Sequence, residues 1–314
     1  MSETPHWQYR VNSLVPEGET LPPGIFRYAA VIEYDGSEYC GWQRQVHCEG
    51  VQAVVEKALS LVANEEISIV CAGRTDTGVH ATGQTVHFDS RAVRGPRNWI
   101  LGCNANLPRN VRLHWAGRMS DRFHARFSAR ARTYRYVILN RPSPPALMRE
   151  GLVWHKQALS VVAMREAAAA LVGEHDFSAF RAAGCQSRSA FRNVHYVDIF
   201  RLNDLVVIEI RANAFLLHMV RNIVGALLSV GRGENLPDWP GELLVGRDRS
   251  KAPATSPASG LYLVAVDYPT KFDLPILSPG PFFIGRELYP AVSKKEFNNL
   301  SSDSQDVMCG HSES

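Results

Sequence analysis

The stretch Ala72-Gly73-Arg74-Thr75-Asp76-Thr77-Gly78-Val79-His80-Ala81-Thr82-Gly83-Gln84 carries a single carboxylate, Asp76, with the cation Arg74 two residues before it. Glycines so closely spaced let backbone approach a ligand or turn through positive φ. The apolar run Ile67 to Ala72 leads into the stretch and the alternating Thr85-Val86-His87-Phe88 leads out, so it reads as strand, loop, strand. A lone carboxylate on a loop at the end of a buried strand is a place for chemistry. The plain alternative is an Asx-turn or a helix N-cap.

A second group is basic and aromatic. Arg118, Arg122, Arg126, Arg130, Arg132 and Arg135 fall within one short span with Asp121 as counter-charge, interleaved with Phe123, His124, Phe127 and Tyr134. Arginine forks suit phosphate and aromatic faces suit exposed bases, which is the composition of an RNA-contacting surface. A solvated charged face is the alternative. Strand alternation puts Arg132, Tyr134, Tyr136 and Ile138 on one sheet face and Thr133, Arg135 and Val137 on the other, with Tyr136 read as core.

Farther along, Arg221 sits on an apolar helix between Met219, Val220, Ile223 and Val224. An unpaired cation there is costly, so it needs a carboxylate partner, and Asp76 is the obvious one. The neighbouring His218 is read as a ligand or, in preference, a hydrogen-bonded core histidine, and Asp176 as a capping or hydrogen-bonding carboxylate. His80 and His87 flank the first loop without a third ligand at metal spacing, and the six cysteines show no zinc-type pairs. There is no Walker loop and no dinucleotide fingerprint, so neither a metal nor a cofactor is expected.

The elements that must position these residues follow from periodicity. Strands are predicted over Tyr28–Tyr34, Ile67–Ala72, Thr85–Asp89, Val111–Met119, Ala131–Leu139, Asn193–Arg201, Leu205–Ala212 and Leu261–Tyr268. Helices are predicted over Val51–Asn64, Asn98–Asn106, Leu159–Val172 and Leu217–Val230. Strands and helices without strict βαβ alternation predict an α+β fold, two similar halves with a central antiparallel sheet flanked by helices. The expected divisions are a flexible arm at 1–24, a half carrying the Asp76 loop at 25–140, a second half at 141–270 and a largely irregular tail at 271–314.

At 314 residues, 45% hydrophobic and 21% charged, the composition is that of a soluble globular protein. The net charge of +3, from 34 basic and 31 acidic residues, means any nucleic-acid surface must come from local clustering. No apolar run reaches the roughly 18 residues that span a membrane. Met1 to Arg10 lacks the basic-then-apolar order of a signal peptide. Six cysteines read as free thiols place the protein in the cytoplasm.

Gly73-Arg74-Thr75-Asp76-Thr77-Gly78-Val79-His80 resembles the active-site loop of the tRNA pseudouridine synthase A family. Further similar stretches are Ile32–Gln45, Phe123-His124-Ala125-Arg126-Phe127, Arg132-Thr133-Tyr134-Arg135-Tyr136, Gly173–Arg181, Cys185-Gln-Ser-Arg188 and Asn213–Gly225. The likeness runs from about Tyr28 to about Tyr268, and Thr77 stands where alanine is commoner. It implies isomerisation of uridine to pseudouridine in the tRNA anticodon stem-loop, at positions 38 to 40, by a homodimer needing no metal or cofactor. It implies Asp76 as the essential carboxylate, attacking C1′ of the ribose or taking the C2′ proton, and Tyr134 as the ring that stacks on the base. Arg74 would prop the flipped-out space or contact phosphate, Arg221 would pair with Asp76, and Arg126, Arg130 and Arg132 would contact RNA. The rivals are a non-catalytic structured-RNA-binding protein and a carboxylate-nucleophile hydrolase, which would need magnesium and a second acid.

Overall fold

The β-branched and aromatic run Phe26–Tyr34 forms strand β1 in the computed structural model, which describes residues 20–275, 277 and 280–284. It pairs antiparallel with β3 (His80–Ser90) on one side and β4 (Val111–Arg118) on the other. With β5 (Ala131–Asn140), β7 (Gly173–Asp176), β8 (Phe191–Leu202), β9 (Leu205–Ala212) and β10 (Leu261–Asp267), the sheet runs β4-β1-β3-β10-β5-β9-β8-β7. The short strands β2 (Val70–Cys71) and β6 (Val153–His155) pair with β3 and β5. The α+β class is as expected, but the sheet is mixed, because β10 lies parallel to β3 and β6 parallel to β5. Parallel neighbours cannot be joined by a hairpin, so both pairings close long-range connections that no local pattern announces.

Helices α1 (Val51–Ala63), α2 (Pro96–Asn106), α3 (Val161–Ala169), α4 (Met219–Gly231) and α5 (Trp239–Gly246) all feed one buried cluster with Ala30, Ile32, Tyr134, Tyr136 and Ile138 of the sheet. On the opposite face a smaller cluster of Ala29, Met119, Phe123 and Ala125 is joined by Tyr268 and Phe272. The alternation read along β5 holds. Tyr136 is fully buried and donates its hydroxyl to the Pro257 carbonyl at 2.8 Å, while Arg135 pairs with Glu209 of β9 at 2.6 Å.

Several boundaries move for identifiable reasons. Ile67–Ala72 is ladder-paired only at Val70 and Cys71, because the Ile67 and Ile69 N–H groups donate instead to Ser60 Oγ and Glu56 Oε1 of α1. β3 starts at His80 rather than Thr85, since Gly83 admits β10 closely; a Cβ there would lie 2.3 Å from the Val264 carbonyl oxygen. α3 is trimmed to Val161–Ala169, its start capped by Ser160, whose Oγ accepts from Ala163 N–H. The β8–β9 hairpin turns on Asn203-Asp204, with Asn203 at φ 49°, where asparagine is tolerated. β6, β7 and α5 are too short to stand out by periodicity.

The expectations about the chain's ends fall largely outside the described residues, and the one about the cysteines changes. Most of the arm, 1–19, and most of the tail lie outside the described residues. Leu21, within the arm, is buried and donates its N–H to Asp121. The reading of six free thiols is corrected: Cys40 and Cys48 are paired as a disulfide with Cα atoms 6.1 Å apart. The Cys40 N–H bond to the Glu49 carbonyl folds that loop back and brings the two sulfurs together. Cys71, Cys103 and Cys185 are free, and Cys309 lies outside the described residues.

Candidate active site

The Asp76 loop hangs between β2 and β3 and is seated by the preceding turn. Trp42 N–H donates to the Thr75 carbonyl at 3.0 Å, and Thr75 Oγ1 meets the buried Tyr34 hydroxyl at 2.7 Å. Gly41, at φ +86°, makes that approach possible, since a Cβ there would stand 2.7 Å from the Thr75 carbonyl oxygen. Trp42 is buried. On the far side of the loop, Gln84 Nε2 donates to the Gly73 carbonyl at 2.6 Å. His80 is buried and pins the loop's exit: Gly36 N–H donates to its Nδ1, and its Nε2 lies 2.8 and 3.0 Å from the carbonyls of Glu150 and Ser259.

This seating turns Asp76 toward the start of α4. Arg221 Nη1 lies 3.7 Å from Asp76 Oδ2, so the two residues expected to pair are brought together. His218 Nε2 lies 3.4 Å from the same oxygen. It is therefore not the core histidine expected, because its left-handed backbone, φ 59°, swings the ring off the helix and toward the loop. Arg221 is aimed by the segment before β10: its Nε donates to the Ser256 carbonyl at 2.7 Å, and Ser256 N–H returns a bond to the Arg221 carbonyl. No feature of the sequence alone marks this segment.

Tyr134 of β5 is 8% exposed, with its ring edge-on to Phe215 at 5.1 Å between centroids. A Cβ built on Gly73 would come 3.9 Å from its hydroxyl oxygen, so loop and ring bound one space. Burial, and then the nearby Asp76 charge, push that hydroxyl well above its ordinary range, so it keeps its proton. Arg74 is exposed at the lip of the loop.

The arginine span divides. Arg126 and Arg130 are exposed, as is Phe127 at 51%, with Arg126 against the Phe127 ring. Arg132 is instead bonded to carbonyls: its Nη2 donates to Ala72 and Arg126, and its Nη1 to Asn213 at 2.9 Å. It ties the entry of the Asp76 loop to the chain just before α4. Arg135 is buried on the other face against Glu209. His124 is buried beneath the span, where its Nδ1 accepts from the Arg126 and Phe127 N–H groups. Asp176 lies away from these contacts, accepting from Ser178 and facing Arg247 at 3.4 Å, the bonding role expected of it. Among the described residues there is no group of three or more His, Cys, Asp or Glu side chains able to hold a metal ion.

A carboxylate paired with an arginine of a distant helix, approached by the histidine before that helix and faced by a tyrosine, on a helix-backed mixed sheet, defines a site built for carboxylate chemistry. The family model described as tRNA pseudouridine synthase matches residues 30–128 and 167–269. The tRNA pseudouridine synthase A of Shewanella denitrificans is 54% identical over 258 residues, 82% of this chain and 99% of the relative. The enzyme of the same name from Shewanella amazonensis is 55% identical over 258 residues, covering 82% and 99%. That of Klebsiella pneumoniae (strain 342) is 53% identical over 260 residues, covering 83% of this chain and 96% of the relative. The chain belongs to the tRNA pseudouridine synthase family.

The buried histidines beneath the span make stability depend on pH. Burial, with Arg27 nearby, lowers His124 from its ordinary 6.5 to about 4, and burial lowers His87 as well. Between those values the unfolded chain takes up protons that the folded chain refuses, so stability is complete above 6.5 and lost as pH falls toward 4. His124→Asn keeps an acceptor for the two N–H groups and removes one titration. Urea unfolding measured from pH 7 to pH 4 should show its slope reduced by up to about 1.4 kcal/mol per pH unit.

Proposed function

We propose that this protein isomerises uridine to pseudouridine in the anticodon stem-loop of tRNA, at positions 38 to 40, with Asp76 as the essential carboxylate. The observation that carries the reading is Asp76 beside Tyr134, with the Arg221 cation and the His218 ring at Oδ2 and no hydrogen bond to Oδ1 among the described residues. The bond from C1′ to N1 breaks, the base turns while held, and C1′ joins C5. N1 gains a proton and C5 loses one, so the atoms balance without a cofactor. Asp76 serves by attacking C1′ or by taking the C2′ proton, and Arg221 holds it in place.

Tyr134 supports the extruded base. Stacking of this kind is worth about 1–3 kcal/mol, on the scale of the few kcal/mol that extruding a nucleotide costs. Arg74, at the lip, fills the vacated stack or meets phosphate. Exposed Arg126 and Arg130 beside Phe127 suit an RNA backbone and its bases. Arg132 contributes indirectly, through the carbonyls it ties together. The reading includes a homodimer on tRNA, a cytoplasmic location, and residues 25–140 and 141–270 as two related halves. With Cys40 and Cys48 paired, the location rests on the tRNA substrate rather than on free thiols.

The direct test is tritium release from C5-labelled uridine in anticodon stem-loop RNA, with and without chelator. Release should proceed in chelator, and Asp76→Asn should bind RNA yet release none in a single turnover. Binding without release by the wild type would leave a non-catalytic RNA-binding protein. Replacing Arg126 and Arg130 with Gln should weaken binding and flatten the plot of log affinity against log salt, because fewer counterions are released. Tyr134→Phe keeps the ring face and should stay close to wild type, since the hydroxyl holds its proton. Tyr134→Leu should fall steeply in single-turnover rate. A loss of about 10²-fold or more in the Phe variant would assign the hydroxyl a proton-transfer role.

A further inference from the structure

Asp76 is approached by two side-chain nitrogens on one oxygen. His218 Nε2 and Arg221 Nη1, three residues apart at the start of α4, lie 3.4 and 3.7 Å from Oδ2. His218 stands just before the helix and Arg221 in its first turn, and both side chains reach the same carboxylate oxygen. Arg221 is fixed by its Nε bond to the Ser256 carbonyl. A single cation nitrogen at that distance leaves the carboxylate free to rotate about its Cβ–Cγ bond. A second nitrogen on the same oxygen narrows that freedom.

His218 has no other evident reason to be histidine. It sits at φ 59°, ψ 7°, a left-handed conformation that glycine or asparagine adopts with less strain. Its side chain makes no capping bond to α4 and is 32% exposed, so it is neither a cap nor core. Its carbonyl accepts the Asn222 N–H, a bond that any residue could supply. What distinguishes the imidazole is the reach of Nε2 to Asp76.

We infer that His218 is a positioning residue for the isomerisation: with Arg221 it holds Asp76 Oδ2, so that Oδ1 is the oxygen presented to the ribose. This rests on Asp76 being the essential carboxylate. The 3.4 Å separation is longer than a hydrogen bond. Such contacts tighten when substrate binds, and filling the space before Tyr134 would exclude water from the pair.

The test compares His218→Asn and His218→Gln with wild type, by single-turnover tritium release at saturating anticodon stem-loop RNA, RNA affinity and thermal melting. Asparagine suits the left-handed backbone but falls short of Nε2, whereas glutamine restores an N–H donor at that reach. His218→Asn should lose about 10- to 100-fold in rate with affinity and Tm unchanged, the scale of effect of a misplaced reacting group. His218→Gln should recover most of the loss. A wild-type rate in His218→Asn, or equal losses in both variants, would overturn the inference. A defect in affinity alone would make His218 an RNA contact instead. Tritium release by Asp76→Asn, or none by wild type, would overturn the reading of Asp76 itself, so the two failures are told apart.

Discussion

A carboxylate at the end of a buried strand needs its counter-charge supplied by protein, and here that charge comes from more than 140 residues away in the chain. Asp76 meets His218 and Arg221 only because α4 is laid across the mouth of the loop between β2 and β3. Much of the architecture serves that meeting. β10 pairs parallel with β3 at His80 and Ala81 and antiparallel with β5, so the last strand joins the loop's exit to the strand carrying Tyr134. The segment before β10 passes over α4 and gives its Ser256 carbonyl to Arg221, its Pro257 carbonyl to Tyr136 and its Ser259 carbonyl to His80. One extended stretch thereby sets the positions of a cation, a core tyrosine and the loop.

Tight backbone contact does the same on the other side. The turn carrying Gly41 lies against Thr75 at a separation that leaves no room for a side chain, and Trp42 N–H bonds to that residue's carbonyl. Close packing of this kind resists small displacements, because interiors yield little to strain. Burial also sets the chemistry around the loop. It pushes the Cys71 thiol up to about 12, so that group remains protonated and inert.

Charge in this protein is spent in two ways. Arg135 and Arg27 are buried with carboxylates, Glu209 and Asp89, and hold strands and loops together. Arg132 satisfies several carbonyls at once, an arrangement that suits the planar guanidinium and would not suit lysine. Arg126 and Arg130 remain at the surface, where they can meet a polyanion. Six arginines in one short span thus divide between architecture and surface, although the net charge is only +3.

The fold class, most of the longer strands and helices and the Asp76 loop were legible in the sequence, because they rest on local periodicity and on an unusual glycine spacing. The Asp76–Arg221 pairing was legible too, from the cost of leaving a cation unpaired on an apolar helix. Other features were decided only by tertiary structure. His218 reads as a core histidine until the left-handed turn before α4 points its ring at Asp76. The six arginines look alike until β5 alternation buries Arg135 and the path of the chain ties Arg132 to backbone carbonyls. Cys40 and Cys48 are eight residues apart in an irregular loop, and only its folding back pairs them. The parallel place of β10 beside β3 has no local signature at all. Periodicity reports which face of an element is apolar, whereas long-range pairing depends on which distant backbone can approach, here at Gly83, where the neighbouring strand leaves no space for a Cβ.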